Sequence, residues 1–396
     1  MKNYRHLVIA VLFCLGFLQT QAQQAFEPTK LKVAVFVPLY IDSAFNGDDY
    51  KLGNNNLPKT MLPGLGFYNG VTMAIDSLKK EKIAAQVLFY DTKNVSLHSI
   101  ILKPEMQDVS LIIASFNNNN EIKTLADFAL QKRILLISAT FPNDGGVHNN
   151  PYFVVLNSTL RTHCQNIYKY VQQYYSPGNI VYVKRKGNVE NFIQSSFLSS
   201  SKTTASAPLK LKMVELNDNF SEYDLMKYLD STKKNTIICG SINEVFGLKI
   251  LRTLSSKSAS YRSTVIGMPT WDGIKDFDKS SCKNVDIVYS TAYNFQRSDK
   301  FVKQFVVNYK TKYAAGPNDW ALQGFEAMYR FTRLVLQYGD LSPQFISNNK
   351  YKVFNDFDIQ PVYATGNNSR HPLINYLENK KSYFVKKNSG VILSVK

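Results

Sequence analysis

Leu31-Lys-Val-Ala-Val-Phe-Val37 is apolar at every position but Lys32, and it is followed by Pro38 and by a loop rich in Asn, Gly, Asp and Pro between Asn46 and Pro63. A strand that is apolar on both faces belongs to a parallel sheet covered by helices on both sides, whereas a half-exposed antiparallel strand alternates. Outward from this run the same pattern recurs: apolar strand, polar turn, amphipathic segment. The first half continues with Gln86-Val-Leu-Phe-Tyr90, Val109-Ser-Leu-Ile-Ile113 and Arg133-Ile-Leu-Leu-Ile137. The second half has Asn179-Ile-Val-Tyr-Val183, Leu211-Lys-Met-Val-Glu-Leu216, Thr236-Ile-Ile-Cys239 and Ser263-Thr-Val-Ile-Gly267. Segments of helical length, such as 66–80, 161–175 and 243–256, separate them. The pattern runs twice, from Leu31 to about Leu156 and from about Thr159 to Met268, and predicts an α/β protein of two doubly wound parallel-sheet lobes. Polar turns at Asn117-Asn-Asn-Asn120 and Asn143-Asp-Gly-Gly146 follow strands directly, at the carboxyl ends where open α/β sheets bind ligands.

Beyond Met268 the run Val285-Asp-Ile-Val-Tyr289 predicts a further strand, and 299–313 and 318–338 predict helices. Tyr351 to Val395 carries alternating aromatics and a Gly-Asn-Asn turn. The simplest organisation places 23–156 and 285–340 in the first lobe, and 157–284 and 341–396 in the second. The chain then crosses between lobes more than once, which makes a multi-strand hinge.

The first residues, Met1-Lys-Asn-Tyr-Arg-His6, precede an apolar run from Leu7 to Leu18 and the small-x-small tripeptide Thr20-Gln-Ala22. That run is short for a membrane span and fits a cleaved secretory signal of residues 1–22. Cys14 lies among bulky apolar neighbours, unlike a lipidated cysteine. No later stretch predicts a transmembrane segment, so a periplasmic or secreted protein is expected. Loss of Lys2 and Arg5 with the signal takes the net charge from +17 to +15. The basic residues are dispersed and accompany no nucleic-acid-binding signature, so a solvated basic surface is expected and nucleic acid is not a partner. Cys164, Cys239 and Cys282 remain, with no CxxC, and no pairing follows from their spacing.

Little in the sequence points to catalysis. Gly64-Leu-Gly-Phe-Tyr-Asn-Gly70 has the spacing GxGxxxG and stands a long loop away from its strand, which a dinucleotide site does not tolerate. His98, His148, His163 and His371 show no metal-ligand spacing, and no GxSxG is present. No cofactor, no metal and no enzymatic activity are expected.

Several segments together resemble type I periplasmic solute-binding proteins, the family that includes the leucine- and branched-chain-amino-acid-binding proteins of ABC importers. They are Lys32-Val-Ala-Val-Phe-Val-Pro-Leu39, Gly64-Leu-Gly-Phe-Tyr-Asn-Gly-Val-Thr-Met-Ala-Ile-Asp76, Leu88-Phe-Tyr-Asp-Thr92, Ile134-Leu-Leu-Ile-Ser138 and Trp320-Ala-Leu-Gln-Gly-Phe-Glu-Ala-Met-Tyr329. The resemblance covers most of residues 31–394. It implies a small polar ligand, an amino acid among the options, held between lobes, and an ABC permease as partner. Carried over by position, the first lobe's contacts fall on Asn117, Asn118, Ser138, Ala139 and Thr140, and the second lobe's on Trp271 and Asp272. Tyr40, Asn188 and Ser241, each just after a predicted strand, complete the candidate set. The chain departs from the family at Asn117–Asn120, where a Ser-rich turn is usual, and at Lys184-Arg-Lys-Gly-Asn188, where an aromatic is usual.

Trp271, beside a strand end, is expected to line the cleft. Asp272 reads equally as a ligand contact or as a turn residue before Gly273. Trp320 opens a stripe with Phe325, Met328, Tyr329 and Phe331 and is expected in the core. The reading is an exported solute-binding protein that closes on its ligand. The alternative keeps the fold without transport, as an envelope protein that contacts anionic wall or lipid polymers, since fold does not fix function.

Overall fold

The computed structural model describes residues 31–53, 56–294, 299–364 and 372–395, so the expected signal segment 1–22 lies outside the described residues. β1 (Leu31–Val37) leads through α1 (Ile41–Ala44) and the hairpin of β2 (Phe45–Asn46) and β3 (Asp49–Tyr50) into α2 (Leu62–Lys80). There follow β4 (Ala85–Asp91), α3 (Leu97–Ile101), β5 (Leu111–Ala114), α4 (Asn119–Lys132), β6 (Leu135–Ser138) and β7 (Phe153–Val155). The next part runs α5 (Leu160–Tyr174), β8 (Asn179–Lys184), α6 (Asn188–Ser199), β9 (Leu211–Glu215), α7 (Glu222–Met226), β10 (Asn235–Cys239), α8 (Glu244–Ser256), β11 (Ser263–Gly267) and β12 (Asp286–Thr291). Two helices, α9 (Lys300–Tyr313) and α10 (Asp319–Tyr338), precede β13 (Ile359–Tyr363), β14 (Ile374–Asn379), β15 (Tyr383–Asn388) and β16 (Val391–Val395).

The strands form two seven-stranded sheets, ordered β13-β14-β7-β6-β5-β1-β4 and β16-β15-β12-β11-β10-β8-β9. In both, the first five strands pair in parallel with the first between the second and third, so each sheet has a topological switch point, at β1/β5 and at β8/β10. The opening run behaves as its sequence demands. Val33, Val35 and Val37 enter one core with α2 and α10, while Ala34 and Phe36 enter another with α4. In the second sheet Val181 and Val183 face one core, and Ile180 and Tyr182 the other. Each fully buried valine contributes roughly 1.5–3 kcal/mol, which fixes the register because a one-residue slip exchanges the faces.

The late boundaries between lobes differ from those expected. The run after Val285 pairs in parallel with β11, from Asp286 beside Thr264 to Tyr289 beside Gly267, so it belongs to the second sheet. The chain returns to the first lobe only after Thr291. Within the stretch after 341 that was expected in the second lobe, β13 and β14 sit with the first lobe instead, because β14 pairs with β7 and β13 with β14. Only β15 and β16 join the second sheet, antiparallel on β12. The chain thus crosses three times, between β7 and α5, after β12, and between β14 and β15.

Polar side chains tie the crossings together. Ser158 Oγ donates to the Asn379 carbonyl at 2.6 Å, and Asn379 Nδ2 to the Leu156 carbonyl at 3.1 Å. The buried Glu378 carboxylate accepts from Thr159 N and Oγ1, both at 2.8 Å. At the second crossing Asn294 N donates to Asn355 Oδ1 at 2.7 Å, and Asn355 Nδ2 donates to the buried Glu326 at 2.6 Å. Buried polar groups at each of these crossings are satisfied locally, so the hinge has defined geometry.

The glycines of Gly64-x-Gly66-x-x-x-Gly70 serve helix packing. A Cβ at Gly64 would overlap the Pro38 carbonyl, one at Gly66 the Asn318 side chain, and one at Gly70 the Ala321 carbonyl. Gly324 on α10 answers them against Phe67 of α2. Among the described residues no helix is long and apolar enough to cross a membrane. Cys164, Cys239 and Cys282 are buried free thiols.

Candidate functional site

The carboxyl ends of both sheets face one cleft, and the sequence candidates fall in two groups, one after the strands of each sheet. At the first lobe's switch point, Asp91 holds the loop after β1: its carboxylate accepts from Leu39 N, Ile41 N and Lys93 N at 2.9–3.0 Å. That loop sets Tyr40 in a left-handed conformation, φ 56°. The Tyr40 hydroxyl accepts from Asn117 Nδ2 at 2.9 Å, while Asn117 Oδ1 accepts from Lys93 Nζ at 2.7 Å and from Asn118 Nδ2 at 3.1 Å. Asn118 caps α4 by accepting from Glu121 N, and Glu121 pairs with Lys93 at 2.5 Å. Tyr40, Asn117 and Asn118 are therefore one network with Lys93 and Glu121. Sequence reading missed the last two, although Lys93 stands two residues after the strand-ending Asp91.

Ser138, Ala139 and Thr140 end β6 and turn inward. Ser138 is fully buried and its Oγ has no partner among the described residues. The Ala139 carbonyl accepts from the Tyr293 hydroxyl. Thr140 Oγ1 shares a 3.0 Å hydrogen bond with Ser115 Oγ, and the Thr140 carbonyl accepts from Asn157 Nδ2 at 2.6 Å. The Ser115 and Thr140 hydroxyls are thus occupied with each other.

In the second lobe Ser241 is buried and donates to Glu190 Oε1 at 2.7 Å while accepting from Asn243 N. Glu190 also faces Arg185 Nε at 3.6 Å, and Arg185 reaches Asp218. Asn188 opens α6, exposed at the rim. Trp271 does not line the cleft. It is 0 % exposed, packs on Phe277 at 5.0 Å between centroids, and fills the space left by Gly267 and Gly247. The two glycines flank the indole so closely that the ring folds back into the lobe. Trp320 is likewise the reverse of expectation, 40 % exposed, because it lies on the outer face of the first turn of α10, whose Ala321 and Leu322 are buried.

Asp272 does reach the cleft, at a cavity of about 460 Å³ on its hinge side. The first lobe contributes Pro142, Asn143, Asp319 and Gln323. Ile242, Pro269, Thr270 and Asp272 come from the second lobe, and the crossings add Asn157, Ser158, Thr291 and Tyr293. Asn143, Thr270, Asp272 and Asp319 at the rim are exposed, whereas Ser158, His163 and Tyr293 are buried, so the cavity has a polar open mouth and a closed floor. The Tyr289 phenol is pushed up chiefly by burial and then by the Asp272 carboxylate.

His163, on the first turn of α5, is 1 % exposed and its ring makes one hydrogen bond, between Nδ1 and Ser290 Oγ at 2.9 Å. Burial pushes its pKa down to about 4 against the opposing field of Glu378, so the ring is neutral at pH 7. The sequence marked His163 only as a helical residue; its place at the mouth of a crossing is set by the fold. A larger hollow, about 600 Å³, lies at the amino ends of the first sheet beside Lys32, Arg133 and Asp340. It is at the end of the sheet opposite to that where α/β sheets take ligands. Among the described residues no group of three or more His, Cys, Asp and Glu is gathered to hold a metal ion.

No family model matches the sequence, and no curated protein matches it. Solved structures match over nearly the whole chain. A Rhodospirillum rubrum protein assigned to the branched-chain amino acid ABC transporters superposes with a TM-score of 0.64 at 13 % identity, covering 92 % of this chain and 99 % of that one. A branched-chain amino acid ABC transporter periplasmic ligand-binding protein from Burkholderia xenovorans gives 0.61 at 10 % identity, covering 92 % and 95 %. An ABC transporter substrate-binding protein from Desulfitobacterium hafniense in complex with Leu gives 0.55 at 12 % identity, covering 93 % and 100 %. At these identities the likeness shows the fold, the two-lobed α/β architecture of type I periplasmic binding proteins.

Proposed function

We propose that this chain is an exported, non-enzymatic solute-binding protein that encloses a small polar ligand between its lobes and presents the closed form to an ABC-type permease. The observation that carries the reading is the cavity of about 460 Å³ bounded by both lobes and floored by the hinge crossings. Its size suits a small molecule. Rim groups from opposite lobes are satisfied together only when the lobes approach, so a ligand that contacts both shifts the equilibrium toward closure. The shared fold with a binding protein crystallised with Leu supports the reading. Export rests on Lys2 and Arg5, the apolar run Leu7 to Leu18 and Thr20-Gln-Ala22.

A thermal-shift screen of amino acids, short peptides, sugars, anions and amines on the purified protein tests this. A true ligand at one hundred times its dissociation constant stabilises by about 2.7 kcal/mol, a clear rise in melting temperature. If no class of small solute raises it, the solute-binding reading fails.

A further inference from the structure

We propose that the ligand of the hinge-side cavity is a neutral polyhydroxylated molecule of monosaccharide size, read by Gln323 from the first lobe and His163 from the second. The proposal rests on the solute-binding reading above and narrows it to a ligand class. Its first support is charge. The chain carries 47 Lys and Arg, yet none of them lines this cavity among the described residues, and its two carboxylates, Asp272 and Asp319, stand exposed at the rim, where water solvates them without a bound cation. A carboxylate or phosphate taken out of water here would lack a counter-charge, and an uncompensated buried charge costs several kcal/mol.

The second support is hydrogen-bond inventory. Gln323 makes no side-chain hydrogen bond among the described residues, and its Oε1 is a buried acceptor without a partner. On the facing wall the neutral His163 ring spends Nδ1 on Ser290 and keeps Nε2 for the cavity. Asn143 accepts from Gly145 N through Oδ1 and keeps its amide donors, whereas Asn157 donates to the Thr140 carbonyl and keeps its acceptor. The wall therefore offers both donors and acceptors. A hydroxyl both donates and accepts, so a polyol satisfies every one of these groups with a single kind of substituent.

The third support is the apolar remainder: Leu160, Ile242, Pro269 and the Tyr293 ring supply a surface for the C–H face of a sugar ring.

Calorimetric titration of the purified protein with glucose, galactose, ribose and myo-inositol, and in parallel with leucine, glutamate, putrescine and phosphate, decides the matter. The expected result is saturable binding of at least one neutral polyol, weakened tenfold or more in Gln323→Leu and in His163→Gln with the melting temperature of Gln323→Leu unchanged. Gln323→Leu alone carries the test if His163→Gln does not fold. Saturable binding of a charged compound and of no polyol overturns the ligand class and leaves the solute-binding reading standing. Polyol binding that Gln323→Leu leaves unchanged overturns the site. Absence of any binding overturns the ligand class, and with a negative thermal-shift screen the solute-binding reading falls with it.

Discussion

At His163, burial opposes protonation. The imidazole titrates near 6.5 in an unfolded chain and is pushed down to about 4 in the fold. Above pH 6.5 the ring is neutral in both states and stability does not depend on it. Between 6.5 and about 4 the unfolded chain takes up a proton that the folded one refuses, so stability falls as pH falls, by a total on the order of 3 kcal/mol. Urea unfolding at pH 7.5 and 4.5 should show His163→Gln losing less stability on acidification than the wild type by about that amount; equal losses would show that His163 does not control the window. Single residues were also where sequence reading was weakest. Trp271 followed a strand in a polar turn and therefore read as a cleft residue, yet Gly247 and Gly267 open a slot that draws it into the core. Gly267, four residues before the tryptophan at the end of its strand, was the available signal. Trp320 matched a buried stripe by spacing, but it stands on the outer face of the turn that buries Ala321 and Leu322. Asp272 is the one residue of the candidate set that lines the hinge-side cavity.

Elements were more legible than residues. β1 and β11 coincide with their apolar runs, and α9 and α10 start one residue after their expected positions, because long periodic segments carry their own boundary signals at Asp299 and Asn318, both of which cap their helices. The destination of β12 to β14 was not legible. A short strand's sequence records that one face is buried and does not record which sheet buries it. Between α2 and α10 the decisive feature is close backbone approach at Gly66, Gly70 and Gly324. Gly70→Ala places a methyl group on the Ala321 carbonyl, and separating the helices to admit it should cost about 1–3 kcal/mol. Denaturant unfolding would register that as a lower midpoint with unchanged slope. An unchanged midpoint would mean the helices are not in that contact.

At the scale of the whole molecule, a strand pattern run twice yields two sheets that share the order of their first five strands, and three crossings leave one cleft between them. Each lobe holds its own pair of cores, so the lobes can rotate as bodies about crossings fixed by Ser158, Glu378, Asn379 and Asn355. The doubled architecture was legible because the inner parallel strands β1, β5, β6, β8, β10 and β11 are buried on two faces. The hinge-side cavity was not, because it is assembled from residues far apart in the chain, such as Asn143, Asp272 and Gln323. The central claim is closure of this cavity on a ligand. Small-angle X-ray scattering of the purified protein, alone and saturated with the compound that most raises its melting temperature, measures it directly. The account predicts a smaller radius of gyration and a shorter maximum dimension in the saturated sample, and loss of that compaction in Gln323→Leu at the same ligand concentration. Identical scattering curves with the binding site saturated would contradict it.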